Sequence, residues 1–319
     1  MKSKKKLVLM TACFMLISTL MFGCTSRTAA GDTKTGEGEK TRESKWPEKI
    51  VLAYLPNEES DEGYKASRVI LEKEMSEYLG VDVDVIIASD YNAVIEAMRN
   101  GKAQLAQFGP FSYIIAHDRS MAEAIVVMAD GGKEENAFYK SFLITHPSTG
   151  IEKIEDIQGK TMAFVDPAST SGNLVPRATI VSKLGVTPED IDTKVFSSVQ
   201  FAGTHPNSLL AVANKSVEVG AVASTTYDKS IKDNVVNKED VKIIIESDPI
   251  PSGPVAVRSD LPQDLKDKIE AFYLSFDNEE YFKFRKKDGA RYVRIVDSNY
   301  DSIRNIAKSM NLTAEDLLK

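Results

Sequence analysis

The stretch TMAFVDPASTSGNLVPR, residues 161–177, contains the transition from strand to helix on which the fold prediction depends. Its first part, TMAFVD, is an apolar run of strand length, and a helical pattern follows over residues 172–184. Between them, after a proline and before a glycine, come Ser169, Thr170 and Ser171 in succession. A buried strand that leads directly into a helix is typical of α/β proteins.

The same alternation of strand and helix patterns continues on both sides of this stretch. Strands are predicted in KIVLAYLP, VDVDVII, AQLAQF, AIVVMAD and SFLIT before it, and in TKVFSS, EVGAVAS and VKIIIES after it. The segment from residue 261 to the end is predicted to be mainly helical. The sequence therefore predicts an α/β body with mostly parallel sheets.

So many strands favour two α/β lobes over one sheet. We predict that lobe one comprises residues 47–145 and 251–319, and that lobe two comprises residues 146–250. The crossings between them would lie in THPSTG and SDPIPSGP, which are rich in Pro, Gly and Ser. A ligand is expected in the cleft between the lobes, where pockets and the carboxyl ends of strands meet.

The amino-terminal segment has a different character. MKSKKK is basic, a short apolar run follows, and Gly23 precedes Cys24. This pattern predicts a lipoprotein signal over residues 1–23, with Cys24 lipid-modified; the alternative is plain secretion with a chance cysteine. Residues 24–46 hold almost no large apolar side chain before Trp46, so they are predicted to form a flexible tether.

Composition excludes several classes of function. The 319 residues carry a formal net charge of -7, so no nucleic-acid partner is predicted. The cysteines, Cys13 and Cys24, both lie in or next to the predicted signal, and no metal-ligand spacing occurs. We therefore predict no metal and no cofactor.

The hydroxyl run has two interpretations that the residues leave open. Ser169 or Thr170 can simply cap the following helix. Alternatively, the free backbone N–H groups of the helix start, the hydroxyls and Gly172 together form an anion site without a cationic residue. A serine nucleophile is disfavoured, because no G-x-S-x-G elbow is present. His205 also stands between a strand-like segment and a helix, so it would face the same cleft, although a loop histidine is often incidental.

Four segments carry a resemblance to a known family: FGPFSYIIA (108–116), DPASTSGNLVPR (166–177), FAGTHPNSLLAVANKSVEVGAV (201–222) and IPSGPVAVRSDLP (250–262). In this order they resemble the phosphate/phosphite/phosphonate-binding proteins of ABC importers, the PhnD-like group. The resemblance implies a two-lobed type II periplasmic-binding-protein fold that closes over a small ligand. It also implies a binding protein rather than an enzyme.

The resemblance implies a set of ligand-binding residues. Those of lobe two are Ser169, Thr170, Ser171 and His205, to which the close approach of a ligand to the backbone adds Gly172. Those of lobe one, placed by position, are Tyr54, Tyr91, Phe108, Gly109 and Tyr113. Core packing is the alternative role for each aromatic side chain.

One departure from the family bears on the cargo. Where relatives that take aminoalkyl phosphonates carry carboxylates, this chain has Thr225 and Gly253, and the spacing of Glu218 indicates a structural role. We therefore expect phosphite, methylphosphonate or phosphate. The expected partners are an ABC permease with its ATPase and the membrane, through the lipid anchor on the outer face of the bacterial cell membrane, and the expected state is a monomer. A ligand-sensing protein for a signalling partner, and a phosphoester hydrolase, are the alternatives.

Overall fold

The computed structural model describes residues 46–56, 62–312 and 314. The predicted signal, Cys24 and the tether up to residue 45 lie outside the described residues. The strands are β1 Lys49–Tyr54, β2 Asp82–Ile87, β3 Leu105–Gln107, β4 Ala122–Ala129, β5 Phe138–Tyr139, β6 Ser141–Thr145, β7 Thr161–Phe164, β8 Ser198–Phe201, β9 Val219–Ala223, β10 Lys242–Glu246, β11 Ile250–Pro251, β12 Val255–Arg258 and β13 Arg291–Arg294. The helices are α1 Glu62–Leu79, α2 Tyr91–Arg99, α3 Pro110–Ser120, α4 Val175–Leu184, α5 His205–Ala213, α6 Ser224–Lys232, α7 Gln263–Ser275, α8 Glu279–Phe284 and α9 Asp301–Ser309.

Two sheets organise these elements. One has six strands in the order β13-β4-β12-β3-β1-β2, and the other has five in the order β10-β6-β9-β7-β8. The prediction of mostly parallel sheets is wrong, because both sheets are mixed. Neighbours joined through a helix, such as β1 with β2 and β7 with β8, are parallel. The strands at which the chain enters or leaves a sheet, such as β6 and β12, pair antiparallel.

The two sheets match the predicted lobes except at one strand. The predicted boundary placed residues 141–145 in lobe one, whereas β6 pairs with β9 and β10 in the five-stranded sheet. The chain therefore changes sheet before Ser141 rather than in THPSTG, whose residues Pro147–Thr149 form a short helical turn. The change occurs at β5, which pairs with β11 in a separate two-stranded ribbon.

Local signals explain where most elements begin and end. Asp90 caps α2, since its carboxylate accepts a hydrogen bond from the backbone N–H of Ala93 (2.7 Å). Gly80 follows α1, and Gly185 caps α4 with a φ of +67°, a left-handed conformation that glycine adopts without strain. Buried aliphatic residues fill both faces of the central strands, as in β1, where Ile50, Leu52 and Ala53 are inaccessible to solvent.

Three predicted elements differ in the structure. The helix expected from residue 172 begins with a wide turn, Thr170–Leu174, before α4. The strand predicted in TKVFSS is wrong: Ile191–Val195 is a helical turn, because its two buried residues, Ile191 and Val195, are spaced for a helix. The tail contains β13 as well as helices. No helix of the described residues is long and apolar enough to cross a bilayer.

Candidate functional site

A cavity of about 260 Å³ lies where strands of both sheets end. Tyr54 at the end of β1, Gln107 at the end of β3 and Ala223 at the end of β9 all contribute to its wall. Eight of the ten predicted ligand residues line it, namely Ser169, Thr170, Ser171, His205, Tyr54, Tyr91, Phe108 and Gly109. Segments far apart in sequence therefore meet at one polar concavity, the usual form of a ligand site.

The hydroxyl run is both a helix cap and part of the cavity wall. Ser169 Oγ accepts a hydrogen bond from the N–H of Gly172 (3.1 Å), which is the capping arrangement. Thr170 Oγ1 accepts from the N–H of Phe111 at the start of α3 (2.8 Å), so this turn contacts the six-stranded side. A hydroxyl that accepts through its oxygen keeps its proton for donation. These side chains can therefore donate to a ligand while they stabilise the turn.

The turn is also held by β6 of the same sheet. Ser141, at the start of β6, donates its hydroxyl to the carbonyl oxygen of Ser171 (2.6 Å). Gly172 does not line the cavity, contrary to its predicted role. A Cβ there would lie 2.4 Å from Val165, and the Gly172 carbonyl accepts from the N–H of Val165 (2.9 Å). The glycine is thus required for close packing of the turn on the end of β7.

His205 is a buried, neutral donor. It is the first residue of α5, and its Nδ1 accepts a hydrogen bond from the N–H of Ala223 (3.1 Å). Burial lowers the pKa of His205 to about 4, so the ring is uncharged near neutral pH. With Nδ1 accepting, the proton of the neutral ring is on Nε2, which can only donate.

Tyr139 belongs to the site and was missed in the sequence. It lies in β5, a strand too short for its pattern to be recognised. Its hydroxyl is close to the hydroxyl run: burial raises the pKa of Tyr139 to about 12, and hydrogen bonds to the side chains of Ser171 and Thr170 limit that rise. Tyr139 is therefore a further neutral hydroxyl on the cavity wall.

Tyr113 has a structural position, which corrects its prediction as a ligand residue. It is fully buried within α3, and its hydroxyl donates to Asp297 (2.8 Å). Its ring packs against Tyr300, with 5.0 Å between ring centroids. The apolar face of α3 needs a large side chain at this place, so packing accounts for the tyrosine.

Three positions were considered for a carboxylate that would bind the amine of an aminoalkyl ligand. Thr225 and Gly253 line the cavity, and a Cβ on Gly253 would lie 1.8 Å from the carbonyl oxygen of Phe108. No side chain, acidic or otherwise, fits at Gly253 without moving the backbone. Glu218 is away from the cavity, where it accepts from Lys160 Nζ (3.1 Å) and from the N–H of Thr161 (3.0 Å). Asp130 does line the cavity, and it pairs with Lys287 (3.1 Å).

Cationic side chains reach the cavity, contrary to the prediction of a cation-free site. Arg68, Arg285 and Lys287 all contribute to its wall. Arg285 follows α8, and its guanidinium carbon lies 4.5 Å from the ring centroid of Tyr64, 5.6 Å from that of Tyr281 and 6.0 Å from that of Tyr54. We call these four residues the arginine–tyrosine cluster. No sequence pattern indicates this cluster, because its members are brought together only by the fold.

The other two histidines of the chain lie away from the cavity. His117 contacts the carbonyl of Ala122 (2.9 Å), and His146 contacts its own turn through Ser148. Neither lines the cavity, so no histidine except His205 does so among the described residues. Within the same residues, no group of three or more His, Cys, Asp or Glu side chains is arranged to hold a metal ion.

The structure has two mixed sheets that are joined by paired crossings and share a cavity at their strand ends. This architecture is the two-lobed α/β fold of the type II periplasmic binding proteins. The sequence gives the finer assignment. Residues 52–303 match the family model described as "ABC transporter, phosphonate, periplasmic substrate-binding protein". The chain belongs to this family, which confirms the resemblance stated from its motifs.

Known relatives agree with this assignment. The chain is 30% identical over 300 residues to the phosphate-import protein PhnD of Mycolicibacterium smegmatis, covering 89% of this chain and 92% of the relative. It is 32% identical over 236 residues to the phosphonates-binding periplasmic protein of Escherichia coli, covering 72% and 67%. PhnD1 of Prochlorococcus marinus, solved with methylphosphonate, has the same fold with a TM-score of 0.72 at 16% identity, covering 83% and 99%. The chain is thus a substrate-binding protein of the ABC importers, and proteins of this kind are exported.

Proposed function

We propose that the cavity captures a small phosphorus oxyanion, namely phosphite, methylphosphonate or phosphate, and that the protein delivers it to an ABC permease with its ATPase. The observation that carries this proposal is the concentration of neutral donors on one wall. Ser169, Thr170, Ser171 and Tyr139 present hydroxyls, and His205 presents an N–H. Hydrogen bonds from such donors to a charged oxygen are strong once water is excluded.

Three of the donors are oriented before the ligand arrives. Ser169 and Thr170 are held by backbone N–H groups, and His205 is held in one tautomer by Ala223. Preorganised donors lose little freedom on binding, which favours affinity. The hydrogen bond from Phe111 to Thr170 joins the two sides of the cleft, so closure and ligand capture would reinforce one another.

The relatives support this class of cargo. The Mycolicibacterium smegmatis protein is described as importing phosphate, and the Prochlorococcus marinus structure holds methylphosphonate. Glu218 accepts hydrogen bonds from Lys160 and Thr161, so its carboxylate is not available to an amine. Gly253 has no room for a side chain. Both observations favour a cargo without an amine over an aminoalkyl phosphonate.

The remaining expectations belong to the same proposal. The protein would act as a monomer without catalysis, anchored to the outer face of the cell membrane through lipid on Cys24 after removal of residues 1–23. A Cys24→Ser variant should lose fatty-acid labelling and leave the membrane fraction. Continued membrane association of that variant would contradict the anchor but not the cargo.

Titration calorimetry tests the cargo directly. The full chain, freed of ligand by unfolding and refolding, would be titrated with phosphate, phosphite, methylphosphonate, aminoethylphosphonate and sulfate. We expect one of the first three to bind most tightly. A Ser169→Ala/Ser171→Ala variant should lose at least about 100-fold in affinity, because hydrogen bonds to a charged group contribute roughly 1.5–3 kcal/mol each.

A Ser197→Ala/Ser198→Ala variant is the matched control, since both serines are exposed and off the cavity. It should bind as the wild type does. Failure of the refolded wild type to bind any of the five compounds would refute the proposed cargo. Equal binding by both double variants would show that the hydroxyl run only caps the helix and does not bind the ligand.

A further inference from the structure

Arg285 is a buried cation on the cavity wall whose charge the described part of the protein does not match. Its side chain belongs to a residue that is 9% exposed, and its Nε and Nη1 atoms have no hydrogen-bond partner. The ionisable neighbours that act on it most strongly are Tyr281, Tyr64 and Tyr54 rather than carboxylates. No carboxylate of the described residues forms an ion pair with it. The guanidinium remains charged at every physiological pH.

The surrounding tyrosines do not supply the missing negative charge. Burial, more than any neighbour, raises the pKa of Tyr54 and of Tyr281 far above the ordinary value. Both hydroxyls are therefore protonated near neutral pH, and their rings offer the cation only their π faces. The nearby carboxylate of Asp130 is engaged by Lys287. The arginine–tyrosine cluster thus presents positive charge to the cavity.

The same cavity also contains the hydroxyl run, and it has room for both ends of a ligand. Ser171 and Arg285 line one continuous space of about 260 Å³. This volume approaches the lower end of the roughly 300–1,000 Å³ found for sites of drug-sized molecules, so it exceeds the needs of a lone phosphoryl group. An oxyanion at the hydroxyl run would be bound by neutral donors, which leaves Arg285 for another part of the ligand.

We propose that the preferred cargo is a phosphonate that carries a carboxylate as a second acidic group, and that Arg285 receives this carboxylate while the hydroxyl run holds the phosphonate. The inference rests on the proposed function, and it extends the cargo from the three small oxyanions named there to a larger phosphonate. A guanidinium donates strong charge-assisted hydrogen bonds to a carboxylate. Because Nε and Nη1 are buried, the side chain would have to turn toward the cavity to offer them to the ligand. The ligand thereby provides the counter-charge that the fold leaves out.

The first experiment needs only the wild-type full chain. Calorimetry would compare methylphosphonate, phosphonoacetate, 3-phosphonopropionate and phosphonoacetamide, in which a neutral amide replaces the carboxylate. The two acids differ in chain length, so that one can span the distance between the two subsites. We expect at least one acid to bind at least about tenfold more tightly than both methylphosphonate and the amide.

The outcomes separate the two proposals. If methylphosphonate or the amide binds as tightly as the better acid, the second acidic group is refuted and the proposed function stands. If none of the four compounds, nor phosphate or phosphite, binds, the proposed function fails and this inference fails with it.

Variants then test the role of Arg285 itself. Arg285→Gln should weaken binding of the preferred acid at least about tenfold and change methylphosphonate affinity by less than about threefold. Arg285→Lys should fall between the two. Arg294→Gln is the control, because Arg294 is 66% exposed and pairs with Glu270 outside the cavity. An equal loss for the acid and for methylphosphonate would refute the assignment. If the Arg285 variants do not fold, the wild-type comparison decides alone.

Discussion

Two arginines in this protein are equally buried but differently satisfied. Arg177 and Arg285 are each 9% exposed. Arg177 donates to both carboxylate oxygens of Asp192 (3.0 and 2.9 Å) and to Asn173 (2.7 Å), and it covers the ring of Phe164 at 4.2 Å. Arg285 has aromatic neighbours as well, but Nε and Nη1 lack hydrogen-bond partners.

His205 provides a third solution to the same physical problem. It is 6% exposed, and it avoids the cost of a buried charge by remaining neutral. Removing a charge from water costs several kcal/mol unless a partner compensates it. Asp192 compensates the charge of Arg177, and His205 stays neutral. Arg285 keeps its charge without a carboxylate partner among the described residues. The comparison therefore separates residues that stabilise the protein from a residue whose partner comes from outside.

The largest expected effect concerns the pH dependence of stability at His205. Its folded pKa of about 4 lies below the ordinary value of 6.5, so the unfolded chain binds the extra proton between these values. Stability is then lost as the pH falls from 6.5 to 4, by up to about 3 kcal/mol. Urea unfolding of wild type and His205→Gln across this range should show the wild type losing that much more than the variant.

A control and a contrary result are available for this prediction. His117→Gln removes a histidine outside the cavity and accounts for the loss of a histidine as such. Parallel pH curves for the wild type and His205→Gln would mean that the folded protein accommodates the charged ring. His205 would then be a buried charged residue, like Arg285, and the contrast between the two would be lost.

Arg177→Met should give the next largest effect. The substitution removes the bidentate pair with Asp192 and leaves the side-chain oxygen of Asn173 without its donor. Because Asp192 is itself half-exposed, we expect a loss of about 2 kcal/mol rather than the 3–5 kcal/mol typical of a fully buried pair. Urea unfolding at neutral pH measures it, and an unchanged midpoint would show that this pair contributes nothing net.

Arg285→Met should give the smallest effect on the ligand-free protein. It replaces an unpaired buried cation by an apolar chain of similar length, so the free energy of unfolding should fall by less than about 1 kcal/mol and can rise. Arg177→Met serves as the matched control, measured under the same conditions. A loss at Arg285 as large as that at Arg177 would mean that Arg285 is part of the structural framework.

The sequence could predict those cavity residues that carry a local sequence signal. The hydroxyl run and His205 each follow a strand directly, and the carboxyl ends of strands in one sheet meet, so their convergence on one cavity followed from the pattern. Asp90 is an equally local signal, because an acidic residue directly before a helical pattern is a typical cap. The resemblance to a family called for aromatic groups in lobe one, and position, after the first strand and after Asp90, then selected Tyr54 and Tyr91.

The missed features depend on contacts between distant segments. Tyr139 stands in a strand that exists only because β11 pairs with it. Arg285 meets Tyr54 and Tyr64 across more than half the chain, and nothing around it in sequence distinguishes it from an ordinary surface arginine. Tyr113 shows the opposite error, since its motif is local but its side chain points into the core.

The ribbon of β5 and β11 has a mechanical consequence. Its two strands carry the chain between the sheets in opposite directions, and they are hydrogen-bonded to each other, with Ile250 opposite Tyr139 and Pro251 opposite Phe138. Because β5 and β11 are hydrogen-bonded to each other, the two segments between the sheets must bend together. Rotation about the ribbon would then be the easiest relative movement of the two sheets. Tyr139 stands on that axis of rotation. Because Tyr139 also lines the cavity, a rotation about the ribbon would keep its backbone beside the ligand while the two sheets change their relative orientation.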